Sequence, residues 1–138
     1  METLAIAAIA GPIMSLVGIG IFANKKYYQD MMKNFAKDAS AAYVGGILAS
    51  IIGLVILLQH GTSWTLDAAG LITVFAFAAL AEGAVLLVAP GHIFRLSTAV
   101  AKNENMLHML AGISVLAGFY LSYIAYFVQI TVEVTPAA

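Results

Sequence analysis

Four long apolar runs make up most of this chain, and they limit its fold more than any other feature. They cover residues 4–23, 39–58, 68–89 and 106–132, and the third run contains a single carboxylate, Glu82. Each run has about the 20 residues that an α-helix needs to cross the hydrocarbon core of a bilayer. Because backbone groups in lipid must be hydrogen-bonded within their own segment, these runs predict helices. The predicted fold class is an all-α membrane protein with four transmembrane helices.

The basic residues predict how these spans are oriented. All six lie in the connections that follow the first and third runs, namely Lys25, Lys26, Lys33 and Lys37 in one and Arg95 and Lys102 in the other. Loops on the cytoplasmic side of a membrane carry an excess of Lys and Arg. We therefore expect residues 24–38 and 90–105 on the cytoplasmic side, and residues 59–67 and both termini outside.

Both basic connections have the pattern of a short amphipathic helix. In the first, apolar and aromatic side chains recur at helical spacing, at Tyr27, Tyr28, Met31, Met32 and Phe35. A weaker version of the pattern occurs at Ile93, Phe94, Leu96 and Val100. Helices of this kind lie in the plane of the membrane interface. We expect two interfacial connecting helices, and a dedicated lipid-binding or partner-binding device is the alternative.

The composition excludes several classes of protein. At 138 residues the chain has room for a single transmembrane domain, residues 1–138. It is 62% hydrophobic and 9% charged, so it lacks the polar surface of a water-soluble domain. A net charge of −1 leaves no basic face for nucleic acid. Without cysteine, the chain has no disulfide, no thiolate zinc site and no cysteine nucleophile.

The order span, amphipathic segment, span occurs twice, in residues 1–60 and 66–132. A shift of 65 residues aligns Gly18 with Gly83, Lys37 with Lys102, Gly46 with Ala111 and Gly53 with Gly118. This match predicts an internal repeat of two similar hairpins, each with an inner interfacial segment. Because each half has two spans, both halves enter the membrane in the same direction. The predicted pseudo-twofold axis therefore runs along the membrane normal.

The second half also carries a short pattern of its own. Glu82-Gly83 is followed by apolar residues up to Ala89, then by Pro90, a segment ending near Asn105, and a span with Ala111-Gly112 and Gly118. Over residues 72–125 this pattern resembles a family of short two-span bacterial inner-membrane proteins, classed as a domain of unknown function. The resemblance implies an architecture and a bacterial inner (cytoplasmic) membrane, but no activity. Residues 18–58 look like a diverged copy, with Val17 in place of Glu82 and Lys25 in place of Pro90.

Glu82 is the most informative candidate for a functional role. It lies eight residues before Pro90, about 12 Å inside the membrane boundary at the rise of an α-helix. A carboxylate at that depth is costly unless it is paired or protonated, so we expect it to face the bundle interior. Ser15, Ser50 and Ser114 lie at a similar depth, which predicts an intramembrane polar cluster with Glu82. A neutral glutamic acid that ties helices together is the favoured interpretation, and a proton or cation relay is the alternative.

Small residues recur at helical spacing in the second and fourth spans. The residues expected to pack helices closely are Gly46, Ser50, Gly53, Gly112 and Gly118. Faces of small side chains let helix backbones approach each other and pack by van der Waals contact. The pattern leaves open whether these faces meet within one chain or between chains.

No combination of residues predicts catalysis or a resident cofactor. His60, His92 and His108 lack metal-ligand spacing, and interfacial histidines without a ligand are favoured over a bis-histidine haem. The sequence has no nucleophile paired with a base, and its connections are too short for a soluble active site. We therefore expect neither an enzyme nor a bound metal or cofactor.

These observations predict a small non-catalytic accessory, assembly or scaffold subunit. Its expected partners are membrane lipids and other membrane-protein subunits or further copies of itself, and not nucleic acid. A small proton-coupled transporter or channel that uses Glu82 is the alternative. A haem- or quinone-associated subunit is a weaker one.

Overall fold

The apolar runs form helices in a computed structural model, which describes residues 2–128. The long helices are α1 (Glu2–Ala23), α3 (Ala39–His60), α4 (Ala68–Val88) and α6 (Glu104–Tyr123), and the last continues into a π-helical turn, Ile124–Val128. Two shorter helices, α2 (Lys25–Phe35) and α5 (Pro90–Lys102), form the basic connections. Residue 1 and residues 129–138, which include the end of the fourth apolar run, lie outside the described residues.

The four long helices have the length and composition needed to span a membrane. They present many large apolar side chains to their surroundings, and Leu16, Leu58 and Leu116 are 69%, 84% and 72% exposed. Soluble proteins rarely expose apolar surface on this scale, whereas lipid solvates it. The chain is therefore an all-α membrane protein with four transmembrane helices, which confirms the predicted fold class.

Polar side chains cap the first turns of three spans. The caps are Asp38 for α3, Asp67 for α4 and Asn103 for α6, and each accepts a hydrogen bond from a backbone N–H of the following turn. These bonds satisfy N–H groups that have no partner within the helix. α5 begins at Pro90, where the missing N–H removes no helical hydrogen bond. Both short helices, α2 and α5, begin within two residues of the end of the preceding span.

The spans pack in two close pairs, α1 with α6 and α3 with α4. α1 and α3 have few contacts with each other, so each half of the chain contributes one span to each pair. α2 packs against α5, and the Gln29 side-chain amide donates to the Ala101 carbonyl oxygen at 2.9 Å. We call the end of the bundle that carries α2 and α5 the basic end.

Two apolar clusters fill the space between the helices. The cluster far from the basic end consists of Ala7, Ile56, Ala68, Ile72, Ala76, Leu121 and Ala125. The cluster near the basic end consists of Ile21, Val100, Leu107 and Ala111, so it joins α5 to α1 and α6. α5 is thus packed onto the spans, and this packing leaves an open groove between α5, α2 and α4.

Candidate functional site

Glu82 lines this open groove beside the bundle, near the basic end. It lies on α4, six residues before the last residue of that helix, Val88, and its side chain is exposed. The groove has a volume of about 630 Å³. Its other lining residues are Met31, Met32 and Phe35 of α2, Ala81 and Val85 of α4, Ile93, Leu96, Ser97 and Val100 of α5, and Leu110 of α6. We call it the Glu82 groove.

The walls of the Glu82 groove are apolar apart from two side chains. The Ser97 hydroxyl donates to the carbonyl oxygen of Met32 at 3.4 Å, so it is engaged with α2. The Glu82 carboxyl group has no hydrogen bond or ion pair with any residue in the range 2–128. Met31 and Leu96 are 46% and 57% exposed, so the groove is accessible from the side. A single carboxyl group is therefore presented to an open apolar space.

The prediction that Glu82 faces the bundle interior is wrong. α4 packs against α3 through Ala76, Leu80 and Gly83, which lie on one face of the helix. Successive residues of an α-helix are about 100° apart, so the position before Gly83 is turned away from this face. Ala78, one turn earlier on the same side of α4 as Glu82, is also exposed.

The three serines do not gather around Glu82. Ser15 is buried between α1 and α6, and its hydroxyl donates to a carbonyl oxygen of its own helix at 2.9 Å. Ser114 donates to a carbonyl oxygen of α1 at 2.7 Å. Ser50 lies in the other helix pair, where it faces α4. The predicted cluster does not form in the described structure, because its members belong to two separate helix interfaces and to the groove.

Four of the five residues expected to pack helices lie in the close pairs. A Cβ atom on Gly53 would lie 2.7 Å from the backbone nitrogen of Leu80, and one on Gly118 would lie 2.7 Å from the carbonyl oxygen of Gly11. Gly46 and Ser50 also face α4 at close range. No side chain larger than hydrogen fits at Gly53 or Gly118 without moving a neighbouring backbone.

Gly112 differs from the other predicted packing residues. A Cβ atom at Gly112 would have no atom within 4 Å. Its neighbour Ala111 is fully buried, and the Ala111 carbonyl oxygen lies against Gly18 of α1. The turn of the helix therefore directs the packing face through position 111 and leaves Gly112 outside it.

The two close helix pairs use positions that correspond along the chain. In one pair, Gly18 contacts Ala111 and Val115. In the other pair, Gly83 contacts Gly46 and Ser50. Gly18 corresponds to Gly83, Gly46 to Ala111 and Ser50 to Val115, each with a shift of 65 residues. The same shift relates the contact between Gly53 and Leu80 to the contact between Gly118 and Ser15. Equivalent backbone approaches therefore hold both pairs together.

No family model, curated protein or solved structure matches this chain. The resemblance to short two-span inner-membrane proteins therefore stays a prediction.

The far end of the bundle carries a hydrogen-bonded histidine, whereas the sequence predicts only an interfacial residue without a ligand there. His60 Nε2 lies 3.0 Å from the carbonyl oxygen of Ala69, and His60 Nδ1 lies 2.9 Å from the hydroxyl of Thr3. Because a carbonyl only accepts, Nε2 donates to it, so this one ring connects α1, α3 and α4. A histidine in the last turn of a span is a weak signal, since its partners are distant in sequence.

The same end contains a second set of polar contacts. The buried Thr73 hydroxyl donates to the Ala69 carbonyl oxygen at 2.9 Å and accepts from the Ser63 N–H at 3.0 Å. Hydrogen bonds from the Thr65 hydroxyl and the Gly70 N–H hold the pKa of Asp67 below its ordinary value. These contacts fix the connection between α3 and α4 onto the bundle.

The other two histidines lie at the basic end. The His108 ring stacks on Phe22 with ring centroids 5.6 Å apart, and His92 is exposed in the first turn of α5. Lys25 pairs with Glu104 at 2.8 Å, which joins the start of α2 to the start of α6. Within residues 2–128, no three histidine, aspartate or glutamate side chains come together as a metal site.

Proposed function

We propose that this protein is a small non-catalytic membrane subunit that binds a partner transmembrane helix in the Glu82 groove. One observation carries the proposal. The Glu82 carboxyl group lies within a membrane span, is exposed at its side, and has no partner among residues 2–128. Ser15, Thr73 and Ser114 form hydrogen bonds within the bundle, whereas this carboxyl group forms none with the described residues, so it requires a separate explanation.

A carboxyl group at the side of a span is unfavourable in lipid. The charged form loses its hydration, and the neutral form still lacks a hydrogen-bond partner. A helix that supplies a Lys, an Arg or a polar donor at this level removes that cost only when it is docked. Polar contacts between transmembrane helices stabilise their association by about 0.6 to 2 kcal/mol each. Glu82 would thus direct a partner to the groove while the apolar walls supply contact area.

Charge favours a different protein over a second copy as the partner. The four spans contain no Lys or Arg, so a second copy has no cationic group to place beside Glu82 within the membrane. Near the level of Glu82, a second copy could contribute only hydroxyl or amide donors or the imidazole of His108, which stacks on Phe22 of its own chain. We therefore propose a partner span that carries a basic residue.

Site-specific photo-crosslinking in native membranes tests this proposal. A photoreactive residue at Leu96, in the groove, is compared with one at Leu116, which is 72% exposed but lies outside the groove. We expect a protein adduct from position 96 and none from position 116. Glu82→Gln, which keeps the shape of the side chain but removes its charge, should reduce the adduct several-fold. Sequencing of the adduct should identify a transmembrane peptide with a Lys or Arg.

Other outcomes of this crosslinking would contradict the proposal in different ways. Adducts with a second copy of the chain would replace the basic partner with self-association. Adducts with lipid alone, or an adduct that is insensitive to Glu82→Gln, would remove Glu82 as a docking residue.

The size of the groove favours a second candidate function, a small proton-coupled transporter. A volume of about 630 Å³ is within the range of small-molecule sites, and its apolar walls with one carboxyl group suit a lipophilic cation. Proton-driven flux of such a cation into proteoliposomes, abolished by Glu82→Gln, would support this function. Lack of any such flux would leave the helix-binding role as the remaining candidate.

We also infer an internal repeat and an orientation. The equivalent contacts of Gly18 and Gly83 support duplication of a unit with two spans and one interfacial helix. The basic residues of α2 and α5 support placing these helices on the cytoplasmic side and both termini outside. The resemblance of residues 72–125 supports a bacterial inner membrane as the location.

A further inference from the structure

At the basic end, α2 and α5 border a second depression, with a volume of about 690 Å³. Four basic side chains line it, Lys33 and Lys37 from α2 and its C-terminal end and Arg95 and Lys102 from α5. Phe94 and Thr98 lie among them. We call this depression the basic basin. It is separate from the Glu82 groove, so its ligand chemistry does not depend on the proposed function.

The charges of the basic basin are not neutralised by the described part of the chain. No carboxylate lines the basin, and the ion pair found among residues 2–128 joins Lys25 to Glu104, neither of which lines it. Four positive charges therefore share one concave surface. Like charges at close range repel each other, and an anion bound among them would offset this repulsion.

The two helices that supply these charges are fixed to each other. Gln29 of α2 donates to the Ala101 carbonyl oxygen of α5 at 2.9 Å, one residue before Lys102. The rings of Phe35 and Phe94 meet edge to face with centroids 6.1 Å apart. Cations from both helices are therefore held around one space before any ligand binds, which lowers the entropic cost of binding.

We propose that the basic basin binds a phosphate-bearing anion between α2 and α5. A guanidinium binds two phosphate oxygens at once, and ammonium groups add point charges, so Arg95 and the three lysines suit phosphate. α2 and α5 are amphipathic and lie at the end of the spans, at the level of phospholipid headgroups. The expected source of the phosphate is an anionic phospholipid. A lipid with two phosphates matches the four cations of the basic basin better than a lipid with one phosphate. A soluble polyphosphate has the same chemistry and is the other possible source.

Binding to the delipidated full chain in detergent tests this proposal. Native mass spectrometry measures retention of phosphatidylcholine, phosphatidylglycerol and diphosphatidylglycerol, and calorimetry measures binding of inorganic pyrophosphate. We expect retention to increase with headgroup charge. The double variant Lys37→Gln and Lys102→Gln should weaken binding about 25-fold, since one basic residue near a lipid surface contributes about fivefold.

Two control variants make the result specific to the basin. Lys26→Gln removes a charge from an exposed position of α2 outside the basin, and it should leave binding nearly unchanged. The double variant Lys37→Arg and Lys102→Arg keeps both positive charges, so it should retain anion binding. Lipid retention that is lost only in the glutamine pair supports a headgroup site, and the same pattern with pyrophosphate alone supports a soluble ligand. Equal losses in Lys26→Gln and the glutamine pair, or no anion binding at all, would overturn the proposal.

Discussion

The backbone of Gly83 lies directly against Ser50 across the α3–α4 pair, where a Cβ atom on the glycine would be 2.6 Å from the Ser50 backbone nitrogen. Gly18 has the same relationship to Val115 in the α1–α6 pair, with a corresponding distance of 3.0 Å. Between apolar helices in lipid there is no hydrophobic driving force, so their association depends on close packing and hydrogen bonds. We therefore expect the stability of the bundle to be sensitive to these glycines.

Gly83→Ala should destabilise the protein. Its new methyl group would meet backbone atoms of α3, which cannot move as a flexible side chain can. Overpacking of this kind typically costs about 1–3 kcal/mol. Thermal unfolding in detergent measures the effect. Gly112→Ala is the matched control, because it adds the same methyl group to a helix in open space and should be neutral or slightly stabilising. An unchanged unfolding temperature for Gly83→Ala would show that the close contact is not maintained.

The spans could be predicted from the sequence, since helices that cross lipid need long apolar runs. The caps Asp38, Asp67 and Asn103 mark where three of them begin. The amphipathic segments also appear as helices, α2 and α5, because their apolar and polar faces differ strongly. These features depend on local sequence alone, which explains the agreement.

The direction in which Glu82 points could not be predicted in this way. In a span, both the packed face and the lipid-facing side are apolar, so hydropathy does not indicate which side faces inward. The orientation of Glu82 follows from Gly83, because Gly83 contacts α3 and the preceding residue therefore points away from α3. For the same reason, the sequence could not show that Ala111, and not Gly112, lies in the packed face of α6. The pairing of α1 with α6 likewise depends on contacts between residues far apart in the chain.

Replacement of His60 should loosen the end of the bundle far from α2 and α5. His60→Ala removes a bond to the Ala69 carbonyl oxygen and a bond with the Thr3 hydroxyl. Hydrogen bonds between spans contribute about 0.6 kcal/mol on average, so we expect a loss of about 1–2 kcal/mol. His92→Ala is the control, since His92 is exposed. Equal unfolding temperatures for the two variants would contradict the bridging role of His60.

Asp67 should make stability depend on pH in the acidic range. Hydrogen bonds from Thr65 and Gly70 lower its pKa in the folded protein, so the charged form stabilises the fold. This contribution is complete above the pKa of Asp67 in the unfolded chain, and it is lost as the pH falls through the lower folded-state pKa. Asp67→Asn keeps a capping oxygen but cannot titrate. The wild type should unfold at a higher temperature than Asp67→Asn at neutral pH, and this difference should shrink as the pH falls below the ordinary pKa of an aspartate. A difference that does not change with pH would contradict this assignment.

Glu82→Leu should leave the isolated protein at least as stable as the wild type, because it removes a costly carboxyl group from the side of a span. The change breaks no contact of this group, since Glu82 has no hydrogen bond or ion pair within residues 2–128. Ser114→Ala provides the comparison, because it removes a 2.7 Å hydrogen bond to α1 and should cost about 1 kcal/mol. Chemical denaturation in mixed micelles measures both. If Glu82→Leu proves the more damaging change, the glutamate ties helices together instead of awaiting a partner.

Labelling of introduced cysteines should place α2 and the α3–α4 connection on opposite sides of the membrane. The chain has no cysteine, so Lys26→Cys and Thr62→Cys each create a single reactive site, and both positions are exposed. The excess of basic residues around position 26 predicts the cytoplasmic side for it. In intact bacterial cells, a membrane-impermeant maleimide should label position 62 directly and position 26 only after permeabilisation. Labelling of both positions in intact cells would place the two connections on one side, which is incompatible with α3 as a complete span.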